Sequence, residues 1–275
     1  MITYEEVRKL SLRAQIAEAV ILREFLQIVF LHVFYGQKGS ENVIFKGGTC
    51  LRLIYGSERY SEDLDFTVNG SLDFLKKVFA QMADVFPGIS FKIRKTLSMG
   101  KTFLLTYKGG ISPYPLYMNL DFSFREKTGM PEKSLIDCRD YPFLFTNQVS
   151  HMSKEEILAE KIRALLTREK GRDLYDIWYL LSHNVSLDKI LTAKKLDFYQ
   201  ENAFKLENLK KRIKEFPKEV FVSDLRPFVS RSRRANLPDF FCGIQKFLLT
   251  KASSFNDGVI FKKEPPTGPE SLRGI

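Results

Sequence analysis

Lys46-Gly47-Gly48-Thr49-Cys50-Leu51-Arg52-Leu53-Ile54-Tyr55-Gly56-Ser57-Glu58-Arg59-Tyr60-Ser61-Glu62-Asp63-Leu64-Asp65 is the stretch from which the fold can be read. It opens on a Gly-Gly-Thr turn, runs through an apolar, helix-patterned segment, and ends on Asp63-Leu64-Asp65. On a β-strand, residues i and i+2 point to the same face. Two carboxylates placed side by side repel each other, so a purely structural strand gains little from them. A divalent-metal site uses them directly, because hard cations such as Mg²⁺ take carboxylate oxygens. A turn with free backbone N–H groups ahead of them can hold phosphates. A phosphate holder followed by a metal-binding strand implies chemistry on a nucleotide.

Working outward, residues 4–35 read as one or two helices, with Glu5 and Glu6 near the start and Ile16, Ala19, Val20, Leu22 and Phe25 at helical spacing. Val43-Ile44-Phe45 reads as a short strand entering the turn. After Asp65 the strand runs to Val68 and is ended by Asn69-Gly70. Ser71 is expected to cap a helix over residues 71–86, whose stripe is Leu72, Leu75, Val78, Phe79 and Met82. Strand patterns follow at 90–94, 103–107 and 117–124, which predicts an α+β sheet domain ending near residue 145. Ser153-Lys154-Glu155-Glu156 has the capping-box pattern. It opens a helix over 154–168, and a second helix over 172–183 follows a break at Lys170-Gly171. Further helices are expected to about residue 250. The resulting division is a sheet lobe with N-terminal helices (1–148), a helical lobe (149–252) and a flexible tail (253–275) carrying Pro265-Pro266 and Gly268-Pro269.

Bulk properties exclude several classes. The 275 residues carry a formal net charge of +10, which suits a polyanionic partner. Cys50, Cys138 and Cys242 are far apart and form no CxxC pair, which argues against a disulfide framework and a structural zinc site. His32, His151 and His183 are equally scattered, so zinc or histidine-based catalysis is not expected. The N-terminus lacks the charged and apolar regions of a signal peptide. The apolar run at 26–35 is too short to span a bilayer. A cytoplasmic protein is expected.

Further residues can carry chemistry. Asp121, in Asn119-Leu120-Asp121-Phe122-Ser123, lies in a strand-patterned segment and is either a third carboxylate or a strand-end residue. Three carboxylates on adjacent strands can hold two Mg²⁺ ions, which stabilise both the attacking and the leaving oxygen in phosphoryl transfer. Lys161 falls on or beside the apolar stripe of Leu158, Ile162, Leu165 and Leu166, so its ammonium either snorkels to solvent or meets an anion such as a triphosphate. In Arg172-Asp173-Leu174-Tyr175-Asp176, Arg172 and Asp176 are spaced to pair along a helix, and Asp173 suits a helix N-terminus. Arg52 and Arg59 can each meet phosphate or a nearby carboxylate, with Arg59 the favoured phosphate contact. Thr49 can donate its hydroxyl to a phosphate, and Gly47 and Gly48 allow close backbone approach.

Taken together and in this order, Gly47-Gly48-Thr49, Arg59-Tyr60-Ser61-Glu62-Asp63-Leu64-Asp65-Phe66, Lys161 and Arg172-Asp173-Leu174-Tyr175-Asp176 resemble the AbiEii/AbiGii-type nucleotidyltransferase toxins of the DNA polymerase β-like superfamily. The resemblance covers roughly residues 40–185. It implies a bilobed α+β protein: a polymerase-β-like lobe with a mixed sheet, a helical C-terminal lobe, and an active site between them. It implies Mg²⁺-dependent transfer of a nucleotide from an NTP, with release of pyrophosphate. It further implies a growth-inhibiting toxin of a toxin–antitoxin or phage-defence system, restrained by a cognate antitoxin; some members modify the 3′ end of tRNA. By the same resemblance, Asp63 and Asp65 would bind metal, with Asp121 as the third carboxylate. Lys161 would bind NTP phosphates, Asp176 would be the acid of the helical lobe, and Gly47, Gly48, Thr49 and Arg59 would line the nucleotide site.

Between Lys205 and Arg234 there are ten Lys or Arg against four Asp or Glu, a surface suited to RNA phosphates or simply to a solvated helix face. Arg231, Arg233 and Arg234 are its expected RNA contacts. Two other readings stay open at this point: transfer to a protein or small-molecule acceptor, and a non-catalytic binding protein on the same scaffold.

Overall fold

The structure, a computed structural model, describes residues 2–129, 131–198 and 204–254. The chain starts with two helices, α1 (Tyr4–Ala14) and α2 (Glu18–Tyr35). Thr3 caps α1 in a full capping box with Glu6. Most residues of α2 are buried, which fits its apolar sequence: a helix hydrophobic on all sides belongs inside the core.

Strand β1 (Val43–Lys46) leads directly into α3 (Gly47–Leu53), and β2 (Leu64–Val68) carries Asp65. Next come α4 (Leu75–Val85) and three longer strands, β3 (Ile89–Leu97), β4 (Gly100–Tyr107) and β5 (Leu116–Ser123). Helix α4 starts later than Ser71 predicts. The Ser71 hydroxyl accepts from the Asp73 N–H in a local turn, and Phe74 occupies the N-cap without a side-chain cap. Two short strands that sequence patterning missed, β6 (Glu132–Ser134) and β7 (Val149–His151), complete a seven-stranded mixed sheet of order β3-β4-β5-β2-β1-β7-β6. Because β7 pairs in parallel with β1, the sheet runs past the expected end near residue 145 and past the boundary at 148. Three-residue strands are too short to show a period, so only their pairing reveals them.

Alternation along β2 and β5 sorts the sheet's two faces. Phe66 and Phe122 point to the side covered by α2, where their rings stack at 4.9 Å and Phe34 stacks on Phe66 at 5.1 Å. Asp65 and Asp121, one residue earlier on each strand, therefore point to the opposite face.

The helical part comprises α5 (Lys154–Thr167), α6 (Gly171–Ser182), α7 (Lys189–Phe198), α8 (Leu206–Lys214), α9 (Lys218–Leu225), the single turn α10 (Arg231–Arg234) and α11 (Leu237–Ser254). Ser153 accepts from the Glu156 N–H, but the capping box is only half formed. The Glu156 carboxylate instead takes Lys195 at 2.8 Å and the Gly129 N–H. Gly171, at the break between α5 and α6, lets the backbone of Phe221 on α9 come so close that a Cβ would overlap it. The expected tail from residue 255 onward lies outside the described residues. No helix among the described residues is long and apolar enough to cross a membrane.

Candidate active site

The register of the sheet builds a polar row. Lys46 lies opposite Asp65, Asp65 opposite Asp121, Asp121 opposite Thr102, and Thr102 opposite Lys95. Residues directly opposite one another share a face, so a cation, two carboxylates, a hydroxyl and a second cation cross five strands side by side. Asp63, expected within the strand, lies one residue ahead of β2 and joins the group from there, near enough for its charge to act on Asp65. Its carboxylate accepts from the Asn119 N–H at 3.0 Å, and its carbonyl accepts from the Thr49 hydroxyl at 2.5 Å. Thr102 donates to the Asp121 carboxylate at 2.5 Å.

This crowding has an electrostatic cost. Burial, then the charges of Asp121 and Asp63, push the Asp65 carboxyl up to about 6. Asp121 is raised by burial and by Asp63, against the hydrogen bond from Thr102. The donor set is all oxygen, and a hard divalent cation would relieve the repulsion, so these residues fit such an ion. Among the described residues no three acidic, imidazole or thiolate groups already converge as a finished metal cage.

Lys46 belongs to this site and was not anticipated. Its ammonium pairs with Glu160 on α5 at 2.9 Å, and Glu160 also meets Lys195 at 3.3 Å. Burial alone would raise the Glu160 carboxyl, but Lys46 and Lys195 outweigh it and hold it down to about 2. Lys195 also pairs with Glu126 and Glu156, a buried lysine among three carboxylates.

A second network joins the sheet to the helices. Asp176 is fully buried and accepts two hydrogen bonds from Arg59, each of 2.6 Å, while Lys161 reaches it at 2.8 Å. Lys161 also pairs with Asp173 at 3.0 Å, and Arg168 closes on Asp173 at 2.7 Å. Burial works to raise the Asp173 carboxyl, yet Lys161 and Arg168 hold it well below the usual carboxylate range. Burial works to lower the Lys161 ammonium, yet Asp176 and Asp173 keep it above its ordinary value. Further links come from the same opening stretch: Arg172 donates to Glu62 at 3.2 Å, and Tyr179 donates to the Tyr55 carbonyl at 2.5 Å.

The paired glycines serve both networks. Gly47 has φ +79°, and a Cβ there would overlap the Asp65 carboxylate. A Cβ on Gly48 would overlap the Arg59 guanidinium. Gly48→Ala is therefore expected to displace Arg59 and destabilise the protein by about 1–3 kcal/mol, the usual range for overpacking. A thermal melt checks this; an unchanged midpoint would show that Arg59 does not depend on that gap.

The sequence model of the family described as "Nucleotidyl transferase AbiEii toxin, Type IV TA system" matches residues 31–241, which takes in both the aspartate row and the Lys161 network. The chain belongs to this family. It is a nucleotidyltransferase, and the family is one of toxins of type IV toxin–antitoxin systems. Solved structures agree in fold. JHP933 from Helicobacter pylori is 22% identical, with a TM-score of 0.52, covering 88% of this chain and 98% of its own. MenT4, the nucleotidyltransferase toxin Rv2826c from Mycobacterium tuberculosis H37Rv, is 18% identical, with a TM-score of 0.56, covering 93% of each chain. No curated protein sequence matches the chain.

In this AbiEii-family member several site expectations change. Arg59 is buried and committed to Asp176, so it is not a phosphate contact on this geometry. Thr49 is buried with its hydroxyl committed to the Asp63 carbonyl, so it fixes the aspartate strand rather than meeting a phosphate. Arg172 pairs with Glu62, not with Asp176, because Asp176 turns inward to Arg59 and Lys161. Asp176, expected as the acid of the helical lobe, has no exposed surface and is enclosed by Arg59 and Lys161. Arg52 is held by Glu24 and lies over the Tyr60 ring. Of the expected RNA contacts, Arg233 pairs with Glu58, Arg234 donates to the Val229 carbonyl, and the Arg231 N–H donates to the Gln15 carbonyl.

Proposed function

We propose that the protein transfers a nucleoside monophosphate from an NTP to the 3′-hydroxyl of tRNA, with Mg²⁺, and that this arrests translation and growth until a cognate antitoxin restrains it. The observation that carries the reading is the Asp65–Asp121 pair on adjacent parallel strands, with Asp63 beside it and Lys46 and Lys161 on neighbouring elements. Its tRNA component rests on the excess of basic residues and on what other members of the family do.

Asp63, Asp65 and Asp121 would hold the metal, which when bound neutralises charge at the α-phosphate and lowers the pKa of the attacking hydroxyl. Lys161 has three ammonium donors, of which Asp173 and Asp176 take two, and the third would meet the NTP phosphates in the direction that those carboxylates set. Lys46, held by Glu160, adds positive charge on the β1 side of Asp65. The α3 turn at Gly47 brings backbone close to the Asp65 carboxylate and so shapes the space for the phosphates. The division of labour follows the two lobes proposed from sequence: carboxylates from the sheet, the phosphate-binding lysine from the helices.

The test is incubation of the purified protein with total tRNA, Mg²⁺ and each labelled NTP in turn, beside Asp65→Ala. Label on tRNA with wild type alone is the expected result and names the nucleotide. Label on protein instead of RNA would replace the acceptor. No label with any NTP on any acceptor would overturn the reading.

A further inference from the structure

The polar row does not stop at the carboxylates. It continues outward over β4 to Lys95 on β3, the edge strand of the sheet. One row away, Asn119 lies opposite Leu104, and Leu104 opposite Lys92. The register slips between Ile93 and Lys95, leaving Arg94 in a bulge. A bulge re-aims a side chain, and here Arg94 reaches across to donate to the Asn119 side-chain Oδ1 at 2.6 Å. Tyr117, two same-face positions along β5 from Asp121, is 53% exposed.

The charges on this face differ from those around Lys161. Arg59, Lys161, Arg168, Arg172, Arg233 and Lys46 are each tied to a carboxylate. Among the described residues Lys92 and Lys95 make no ion pair, and the hydrogen-bond partner of Arg94 is a neutral amide. Arg94 and Lys95 already act on Asp121 at longer range, but none of the three cations is held in a direct ion pair, so each can meet an external anion.

Their position says which anion. The Gly47 turn follows β1, and β1 pairs with β2 on the side away from β5. In phosphoryl transfer the attacking and leaving oxygens lie roughly in line across phosphorus. If pyrophosphate departs toward the β1 side, the acceptor hydroxyl arrives from the β5 side. There it meets a stripe of cations with an exposed aromatic ring, the combination that holds single-stranded nucleic acid by backbone charge and base stacking.

We infer that the open face of β3, β4 and β5, through Lys92, Arg94, Lys95, Asn119 and Tyr117, is the track along which the 3′-terminal nucleotides of a single-stranded RNA end reach the aspartates. This rests on the RNA-acceptor reading above. It moves the principal acceptor contact from Arg231, Arg233 and Arg234 to the β3–β4 hairpin.

The test compares wild type, the triple variant Lys92→Gln/Arg94→Gln/Lys95→Gln, and Arg231→Gln/Arg234→Gln. Binding is read by fluorescence anisotropy with a 5′-labelled single-stranded RNA carrying a free 3′-hydroxyl, and with total tRNA as competitor, across a salt series. The triple variant should bind RNA on the order of 100-fold more weakly at 0.1 M salt, with a log–log salt slope shallower by about 2, the value for three phosphate contacts on a single strand. Its thermal shift with Mg²⁺ and each NTP should match wild type, which also shows that it folds. Unchanged RNA binding in the triple variant would overturn the track and leave the cations as simple protection of an edge strand. A larger loss in Arg231→Gln/Arg234→Gln would overturn it in favour of that surface. Loss of the NTP shift in a triple variant that still melts cooperatively would overturn it in favour of a triphosphate site. Wild type that binds neither RNA would overturn the track together with the RNA-acceptor reading. Label transferred to tRNA by a triple variant with wild-type KM for tRNA would sink the track alone.

Discussion

Asp65→Asn is expected to abolish nucleotidyl transfer and at the same time make the free protein more stable. The loss of transfer should be about 10³-fold or more, since metal charge stabilisation amounts to several kcal/mol and each 1.36 kcal/mol is tenfold. The gain in stability follows from burial of the Asp65 carboxyl and then from the charges of Asp121 and Asp63 beside it, which together push it up to about 6 from an ordinary 3.8. Between those values the native state binds more protons than the unfolded state, so the wild type loses stability as pH rises through that window. Asparagine carries no charge and avoids the loss. Because Asp65 is partly open to solvent, the discounted gain is about 1 kcal/mol, or roughly 2–4 °C in melting midpoint at pH 7.5. Below about pH 3 the two proteins should melt alike, since the wild-type carboxyl is then protonated in both states. Mg²⁺ should raise the wild-type midpoint at pH 7.5 and leave that of Asp65→Asn nearly unmoved. A variant that melts lower than wild type at pH 7.5, or one that retains transfer, would reject this account of the row.

Asp176→Ala should have the opposite signature. It removes the carboxylate between Arg59 and Lys161 and leaves a fully buried guanidinium without its partner. Breaking a buried pair on one side costs about 3–5 kcal/mol, which lowers the midpoint by about 10 °C in a protein of this size. Transfer should fall as well, because Lys161 keeps only Asp173. Stability and positioning can be separated by Arg59→Met/Asp176→Leu, in which apolar groups of similar size fill the space. That protein should regain most of the midpoint and still transfer poorly, with the loss appearing in KM for the NTP. Full transfer in the double variant would show that Asp176 acts only on the fold.

The two variants mark where the sequence was legible. Asp65 could be read without coordinates because strand alternation is local, whereas Asp63, expected on the same strand, lies one residue ahead of β2 and joins the carboxylates from the segment before it. Phe66 and Phe122 follow the same rule on the other face, and so the core side of the strands was equally readable. Lys161 was visible as a charge on an apolar stripe, and Asp173 and Asp176 were visible soon after it, though with local roles at the helix N-terminus and beside Arg172. Arg59 was visible too, but its direction was not. Nothing within the stretch distinguishes an arginine that meets phosphate from one that meets a carboxylate 117 residues later.

What the sequence determined by itself was therefore what local geometry dictates: the turn, the carboxylate strand, the helix carrying Lys161, and through their combination the nucleotidyltransferase family. Only the tertiary structure decided which groups face one another. It set Lys46 opposite Asp65 and held it there with Glu160, committed Thr49 to the Asp63 carbonyl, and turned Asp176 from Arg172 to Arg59. It also placed Lys95 in the same row as the aspartates. The physical reason is that strand register and ion-pair choice depend on distances between segments remote in the chain. Alternation fixes a side chain's face, whereas pairing, burial and neighbouring charge choose its partner.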